Sequence, residues 1–348
     1  MIYNKMEFHN VTELETNEHL PGLILQRFPK EIRNNLGYKY HEKGRLVSQT
    51  STGCEIRFVT ASKNVRVYLS ALEGDGEVIV FKGNFFHSRH TLKSGIINTL
   101  KLEAPERFTN IKPELLKGYS FSSEVWRICM GRGFNAVFHG IDTLGHPIRE
   151  PFQNEVPKIK WLAYGSSITH GSAALSHTSS YIEQAAKRLG IDVMCCGLSG
   201  SCLCEKIMAD HIASRSDWDF ATLELGVNMR GPFNSEEFEE QTKYFIKKIA
   251  ESNPHKPIFV ITIFTNRAEY FMDEEDVLYI RNKEFNNILE HIVSELNMNN
   301  LYLISGKEIL TDFSALSSDL IHPSDFGHIL MGENLANKLG SIIKEYYK

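Results

Sequence analysis

Four short segments of this 348-residue chain hold groups that could do chemistry together. Gly165-Ser-Ser-Ile-Thr169 places two adjacent serines directly after the apolar run Ile159-Lys-Trp-Leu-Ala-Tyr164. A serine at a tight strand-to-helix turn stands on the open edge of a sheet, where the first N–H groups of a helix favour negative charge. Asp319-Leu-Ile-His-Pro323 sets a carboxylate three residues before an imidazole on one loop. Such an aspartate can turn back onto the ring, fix its tautomer and stabilise the imidazolium formed when a serine gives up its proton. Pro323 biases His322 toward an extended backbone, which stiffens that loop. Cys196-Gly-Leu-Ser-Gly200 and Leu225-Gly-Val-Asn228 add a glycine N–H and a side-chain amide. Both are donor types that stabilise a tetrahedral oxyanion. Each segment alone reads equally well as an ordinary turn, and Asp325 as a cap for the last helix.

The elements that must hold these segments are legible in the periodicity. After about Lys158, short apolar runs alternate with helical patterns. The runs are 160–164, 192–196, 220–225, 257–264 and 301–304, and the helical patterns 179–189, 203–213, 235–251, 275–296 and 326–346. Asn234 with Glu237 offers a capping box for the third helix. Alternation of this kind predicts a parallel sheet with helices on both faces. All four segments then follow strands, at the carboxyl edge where such sheets bind ligands. From about Arg45 to Asp142 the period is two instead, as in Cys54-Glu-Ile-Arg-Phe-Val-Thr60 and Asn64-Val-Arg-Val-Tyr-Leu-Ser70. Further short strands are expected at 77–82, 96–102, 125–130 and 136–141, with Gly74-Asp-Gly76 as a hairpin turn. This predicts an all-β sandwich or jelly roll. The polar, proline-containing stretch Arg149 to Lys158 separates the halves, giving a β-sandwich domain over 1–152 and an α/β domain over 153–348.

In this order and spacing the motifs resemble the SGNH (GDSL-like) hydrolases. Gly165-Ser-Ser-Ile-Thr169 is similar to block I, Gly200 to the block II glycine, Asn228 to the block III asparagine, and Asp319 with His322 to the block V pair. The resemblance implies a flavodoxin-like three-layer α/β/α catalytic domain. It also implies Ser167 rather than Ser166 as nucleophile, Asp319 and His322 as the rest of a triad, and Ser167, Gly200 and Asn228 as the oxyanion hole. The strand-rich first half is similar to two-domain members, namely family 2 carbohydrate esterases and related acyltransferase-like proteins. The implied activity is a serine esterase removing a short acyl group, acetyl above all, from a sugar or another polar metabolite through an acyl-enzyme. An acyltransferase using the same triad is the alternative, and a non-catalytic carbohydrate-binding protein a weaker third. Ser166 and Met229 stand where the family usually has aspartates. Met229, Arg230, Phe264 and Arg267, also near strand ends, are expected to line a modest substrate pocket.

Bulk properties narrow the classes further. A net charge of −5 with scattered Lys and Arg argues against a nucleic-acid or anionic-membrane surface. No apolar run approaches the ~18 residues of a membrane span, and residues 1–30 show no export signal, so a cytoplasmic protein with reduced thiols is expected. Cys195, Cys196, Cys202 and Cys204 cluster, yet no C-x-x-C pair occurs, so neither metal nor cofactor is expected. No Gly-x-Ser-x-Gly, Walker A or H-E-x-x-H motif occurs. The expected partner is a small-molecule or oligosaccharide ester, with a homo-oligomer left open. His170 and His177 could line the pocket, and His87 and His90 are expected in exposed loops.

Overall fold

The computed structural model describes residues 1–18, 20–37 and 42–347. Its first half is a sandwich of two antiparallel sheets. The elements run β1 (Ile2–Tyr3), β2 (Met6–His9), β3 (Glu13–Asn17), β4 (Leu20–Gln26), α1 (Lys30–Asn35), α2 (Lys43–Ser48), β5 (Glu55–Thr60), β6 (Asn64–Ala71), β7 (Gly76–Lys82), β8 (Phe85–Leu92), β9 (Asn98–Glu103), β10 (Val125–Met130), β11 (Ala136–Asp142) and β12 (Ile148–Arg149). One sheet has the order β1-β2-β5-β10-β7-β8 with β12 also on β5, and the other β3-β4-β11-β6-β9. Their inner faces share one core, with Phe8, Phe58, Val80, Trp126 and Ile128 from the first sheet against Leu25, Val67, Leu69, Leu100 and Phe138 from the second. Sandwich packing of this kind buries alternate residues of each strand.

The strand pattern begins earlier than expected, because β2 to β4 are short and carry Pro21 and Gly22, which obscure the alternation. Residues 85–92 form β8, an edge strand, so His87 and His90 sit on a strand and not in loops. Gly74-Asp75-Gly76 is not a hairpin turn. It links β6 and β7, which lie in opposite sheets.

The second half is a parallel sheet wrapped by helices. It runs β13 (Lys160–Gly165), α3 (Tyr181–Leu189), β14 (Asp192–Gly197), α4 (Lys206–Ser214), β15 (Phe220–Glu224), α5 (Ser235–Ser252), β16 (Ile258–Ile261), α6 (Val277–Leu296), β17 (Leu301–Ile304), α7 (Gly306–Ile309) and α8 (Asp325–Tyr346). The strand order β14-β13-β15-β16-β17 is that of flavodoxin-like folds, in which the chain leaves the first strand in both directions. One face of the sheet packs on α4, α5 and α6 through Met208, Phe245 and Leu289, the other on α3 and α8 through Ile182 and Leu339. The capping box of α5 forms, with Glu237 N donating to Asn234 Oδ1 at 2.9 Å and Asn234 N to Glu237 Oε2 at 3.1 Å. Among the described residues no helix is long and apolar enough to cross a membrane.

The sandwich covers the open edge of that sheet. β14 is an edge strand, and an unpaired edge invites association unless something caps it. His9 Nε2 bonds to Val193 O at 2.8 Å, Asn10 Nδ2 donates to Cys195 O at 3.3 Å, and Arg27 Nη1 to the Cys195 and Gly197 carbonyls at 3.1 and 3.0 Å. At the start of β14, Arg57 holds Asp192 with two bonds of 2.6 and 2.8 Å.

Candidate active site

The loop leaving β13 coils at once into a tight turn. His170 N donates to Ser166 O at 3.0 Å and Ser172 N to Ser167 O at 2.9 Å. This turn lifts Ser167 above the strand ends, beside the crevice between β13 and β15 where the sheet changes direction. Ser167 Oγ lies 2.7 Å from His322 Nε2, and His322 Nδ1 lies 2.6 Å from Asp319 Oδ2. The other carboxylate oxygen accepts from Ser317 Oγ at 3.0 Å and from the Ile321 and His322 N–H groups at 2.8 and 2.9 Å. Leu320 takes a left-handed φ of 57° to close this turn, and its carbonyl accepts from Arg267 N at 2.8 Å. Partial burial works to raise the Asp319 carboxyl. The hydrogen bonds from His322, Ile321 and Ser317 outweigh it and hold the group well below the usual carboxylate range. Asp319 therefore stays ionised beside the ring. The side chain of Asp319 is 47% exposed and that of His322 25%, so water reaches the pair.

The three expected donors follow the ends of three neighbouring strands, β13, β14 and β15. Asn228 Oδ1 accepts from Cys202 N at 3.1 Å, which fixes the amide and leaves its NH₂ without a partner among the described residues. The Ser167 and Gly200 N–H groups likewise donate to no described residue. Gly200 has φ 66°, a region natural for glycine, and a Cβ there would collide with the Lys43 ammonium.

Several expectations about the surroundings are corrected. Met229 and Phe264 are fully buried in the cores on opposite faces of the sheet. Arg230 is buried as well, its Nη1 donating to Asn266 Oδ1 at 2.9 Å and Asn282 Oδ1 at 2.6 Å. They form structural cores and a polar clamp, and of the four expected lining residues Arg267 alone is exposed. His170 and His177 are buried and do not line an open mouth. His170 instead joins Ser199 Oγ at 2.7 Å to Thr50 Oγ1 at 3.4 Å. Ser324, not Asp325, caps α8, while Asp325 accepts from Leu175 N. All six cysteines are buried and free.

The structure also shows a residue that motif reading missed. Glu224 ends β15 directly beneath the serine loop, fully buried. Its Oε2 accepts from Ser166 N at 2.6 Å and Thr169 Oγ1 at 3.1 Å, while Oε1 has no partner among the described residues. Burial pushes its carboxyl up to about 7 against the lowering effect of those bonds. Gly165 makes the approach possible, since a Cβ there would sit 2.5 Å from Glu224 Oε2. A carboxylate thus reaches the serine loop from the neighbouring strand, although Ser166 itself has none. An acidic residue closing the otherwise apolar run Phe220-Ala-Thr-Leu-Glu224 was the available signal.

The sequence pattern that defines the GDSL-like lipase/acylhydrolase family matches residues 159–340, more than half of the chain. The chain belongs to this family. It is by that membership an ester hydrolase, of the SGNH type with a β-rich first half. No curated protein matches it in sequence. Among solved structures it is similar to the salicylyl-acyltransferase SsfX3 from a tetracycline biosynthetic pathway, at TM-score 0.79 and 14% identity over 97% of this chain and 95% of that one. It is similar also to a family two carbohydrate esterase from Clostridium thermocellum solved with cellohexaose, at TM-score 0.63 and 14% identity over 84% of this chain and 93% of that one. An acetyl xylan esterase (Est2A) from the rumen bacterium Butyrivibrio proteoclasticus gives TM-score 0.61 and 13% identity, covering 99% and 97%. At these identities the likeness is one of fold.

Proposed function

We propose that Ser167 is the nucleophile of an esterase that passes through an acyl-enzyme. The observation that carries this reading is the unbroken line of short hydrogen bonds from Ser167 Oγ through His322 to the ionised Asp319. In the first half-reaction His322 Nε2 takes the Ser167 proton as Oγ attacks the acyl carbonyl. The carbonyl oxygen becomes an oxyanion facing Ser167 N–H, Gly200 N–H and the Asn228 amide. The proton then passes to the departing alkoxide, and a water activated by the same imidazole releases the acid. Asp319 holds the ring and stabilises its charged form, and no step calls for a metal or cofactor.

A short acyl group, acetyl first, on a sugar or other polar metabolite is the substrate class this reading favours. The segments around Ser167 are rich in Ser and Thr, and the apolar Met229 and Phe264 are packed into the cores. Each methylene of a longer chain needs apolar cover worth about 0.8 kcal/mol. The test is kcat/KM on p-nitrophenyl esters, which should fall from acetate to octanoate, together with acetate release from acetylated saccharides. A preference that rises through octanoate, with no acetate released, overturns the substrate class. Transfer to a hydroxyl acceptor is the second reading, supported by the likeness in fold to an acyltransferase. It requires that a sugar or alcohol acceptor diverts the acetyl group from water, and the exposed His322 and Asp319 favour hydrolysis. The division into a sandwich over 1–152 and a catalytic unit over 153–348 is part of the same proposal. So is a cytoplasmic setting, which six unpaired thiols suit.

A further inference from the structure

The first half of the chain contributes a charge to the mouth of the site. Residues 27–37 and 42–50 stand outside the strands of the sandwich and include α1 and α2, and the buried guanidinium of Arg27 bonds to the end of α2. Arg27 Nε and Nη2 donate to Thr50 O at 2.8 Å and Val47 O at 3.0 Å, at the end of α2. Its Nη1 bonds the last carbonyls of β14, from which the Gly200 loop departs. The helix and the loop are therefore held as one piece. At the opposite end of α2 stands Lys43, an exposed residue whose ammonium fills the space that a Cβ on Gly200 would take. No carboxylate among the described residues pairs with it. A second cation approaches from the sandwich: Arg132 Nη1 donates to Ser172 Oγ at 3.0 Å, and Ser172 N bonds to Ser167 O. Arg132 also lacks a carboxylate partner among the described residues, and Gly133 N is tied to Thr52 Oγ1 at 3.0 Å.

A surface lysine normally extends into water, where its charge is best hydrated. Here one is folded back onto an oxyanion-hole glycine without an acid to draw it there. Two uncompensated cations beside a nucleophile favour a negatively charged ligand, with a strength that salt should erode. We propose that Lys43 anchors an anionic group, a carboxylate or a phosphate, carried by the ester substrate, with Arg132 reinforcing the same field. This rests on the esterase reading and narrows its polar substrate to an anionic one.

Two matched pairs of esters separate the two places the charge could be. 4-Acetoxybenzoate against 4-acetoxybenzamide puts it on the leaving group. Mono-4-nitrophenyl succinate against 4-nitrophenyl butyrate puts it on the acyl group. At low ionic strength the parent should prefer the anionic member of one pair in kcat/KM. Lys43→Met should cut that preference about fivefold, the scale of one solvent-exposed charge pair. Lys43→Arg should keep it, Lys43→Glu should reverse it, and added salt should weaken it in the parent. Absence of preference in both pairs overturns the proposal. So does a Lys43→Met variant that loses rate on charged and neutral esters in equal proportion, which would make the lysine a general electrostatic aid. Labelling by a neutral fluorophosphonate is followed in every variant. Intact labelling without charge preference counts against Lys43 alone, whereas loss of labelling and of all turnover in the parent counts against the serine chemistry.

Discussion

Two His–Asp pairs sit at opposite ends of the parallel sheet, and only one of them is placed to react. At the start of β14, His9 Nδ1 lies 3.3 Å from Asp192, and its Nε2 is bonded to a strand carbonyl. At the carboxyl ends, His322 Nδ1 lies 2.6 Å from Asp319, and its Nε2 faces a serine hydroxyl. The first pair is buried, and Asp192 is also held by Arg57; the second is open to water. Desolvation, then Arg57, push the His9 imidazole down from its ordinary value, against the pull of Asp192. A carboxylate beside an imidazole is thus common to a structural clamp and to a triad. What separates them is the third partner, a carbonyl that can only accept or a hydroxyl that can give up a proton.

The sharpest way to break that distinction is to exchange the histidines for alanine. His322→Ala should lower kcat by roughly 10⁶-fold with its Tm nearly unchanged. His9→Ala should do the reverse, lowering Tm while turnover per folded molecule stays within a few-fold. A His9→Ala variant that folds normally yet fails to turn over would erase the contrast.

Next in size is the clamp's own charge. Arg57→Met leaves Asp192 and Glu55 buried without that cation, a change that costs about 3–5 kcal/mol in comparable sites, read from urea midpoints. The Asp192 carboxyl is lowered in the fold, with burial opposing and Arg57 and His9 prevailing. Its contribution is therefore present above the ordinary carboxylate value of about 3.9 and lost as pH falls below it. The gap between parent and Arg57→Met should narrow in acid, and a gap that widened there would contradict the assignment.

At the reactive end, Asn228→Ala should lower kcat about 10²-fold with KM little altered, as for one lost oxyanion donor. Equal rates would remove Asn228 from the site. The smallest effect concerns Glu224. Its pKa is raised by folding, so the native state binds the proton more tightly. The associated stability is full below the ordinary value of about 4.3 and is lost as pH rises through about 7. Glu224→Gln can still accept from Ser166 N and Thr169, so it should retain turnover within about tenfold and flatten the loss of stability between pH 5 and 8. A parent and a variant that lose stability equally over that range would show that Glu224 does not titrate there.

Motif and period made much of the α/β half legible. Strand 301–304 falls where its apolar run lies, and Ser167, Asp319 and His322 come within hydrogen-bond distance although 155 residues separate the serine from the histidine. The turns after parallel strands converge wherever the sheet forms, so spacing along the chain suffices to group them. The surroundings were less legible, for a reason visible at Met229 and Phe264. Both follow strand ends, but which side of the sheet a side chain enters depends on the helices packed there. Arg27, Lys43 and Arg132 carried no signal at all, since each acts across the junction between the halves. Glu224 closes an apolar strand, a position at which a carboxylate usually marks no more than the strand's exposed end.

Labelling of the intact protein with a fluorophosphonate, followed by mass mapping of the modified peptide, tests the central claim most directly. The adduct should lie on Ser167, persist in Ser166→Ala and vanish in Ser167→Ala together with ester turnover. An adduct on Ser166, or one that survives in Ser167→Ala, would contradict the assignment of Ser167 as the nucleophile.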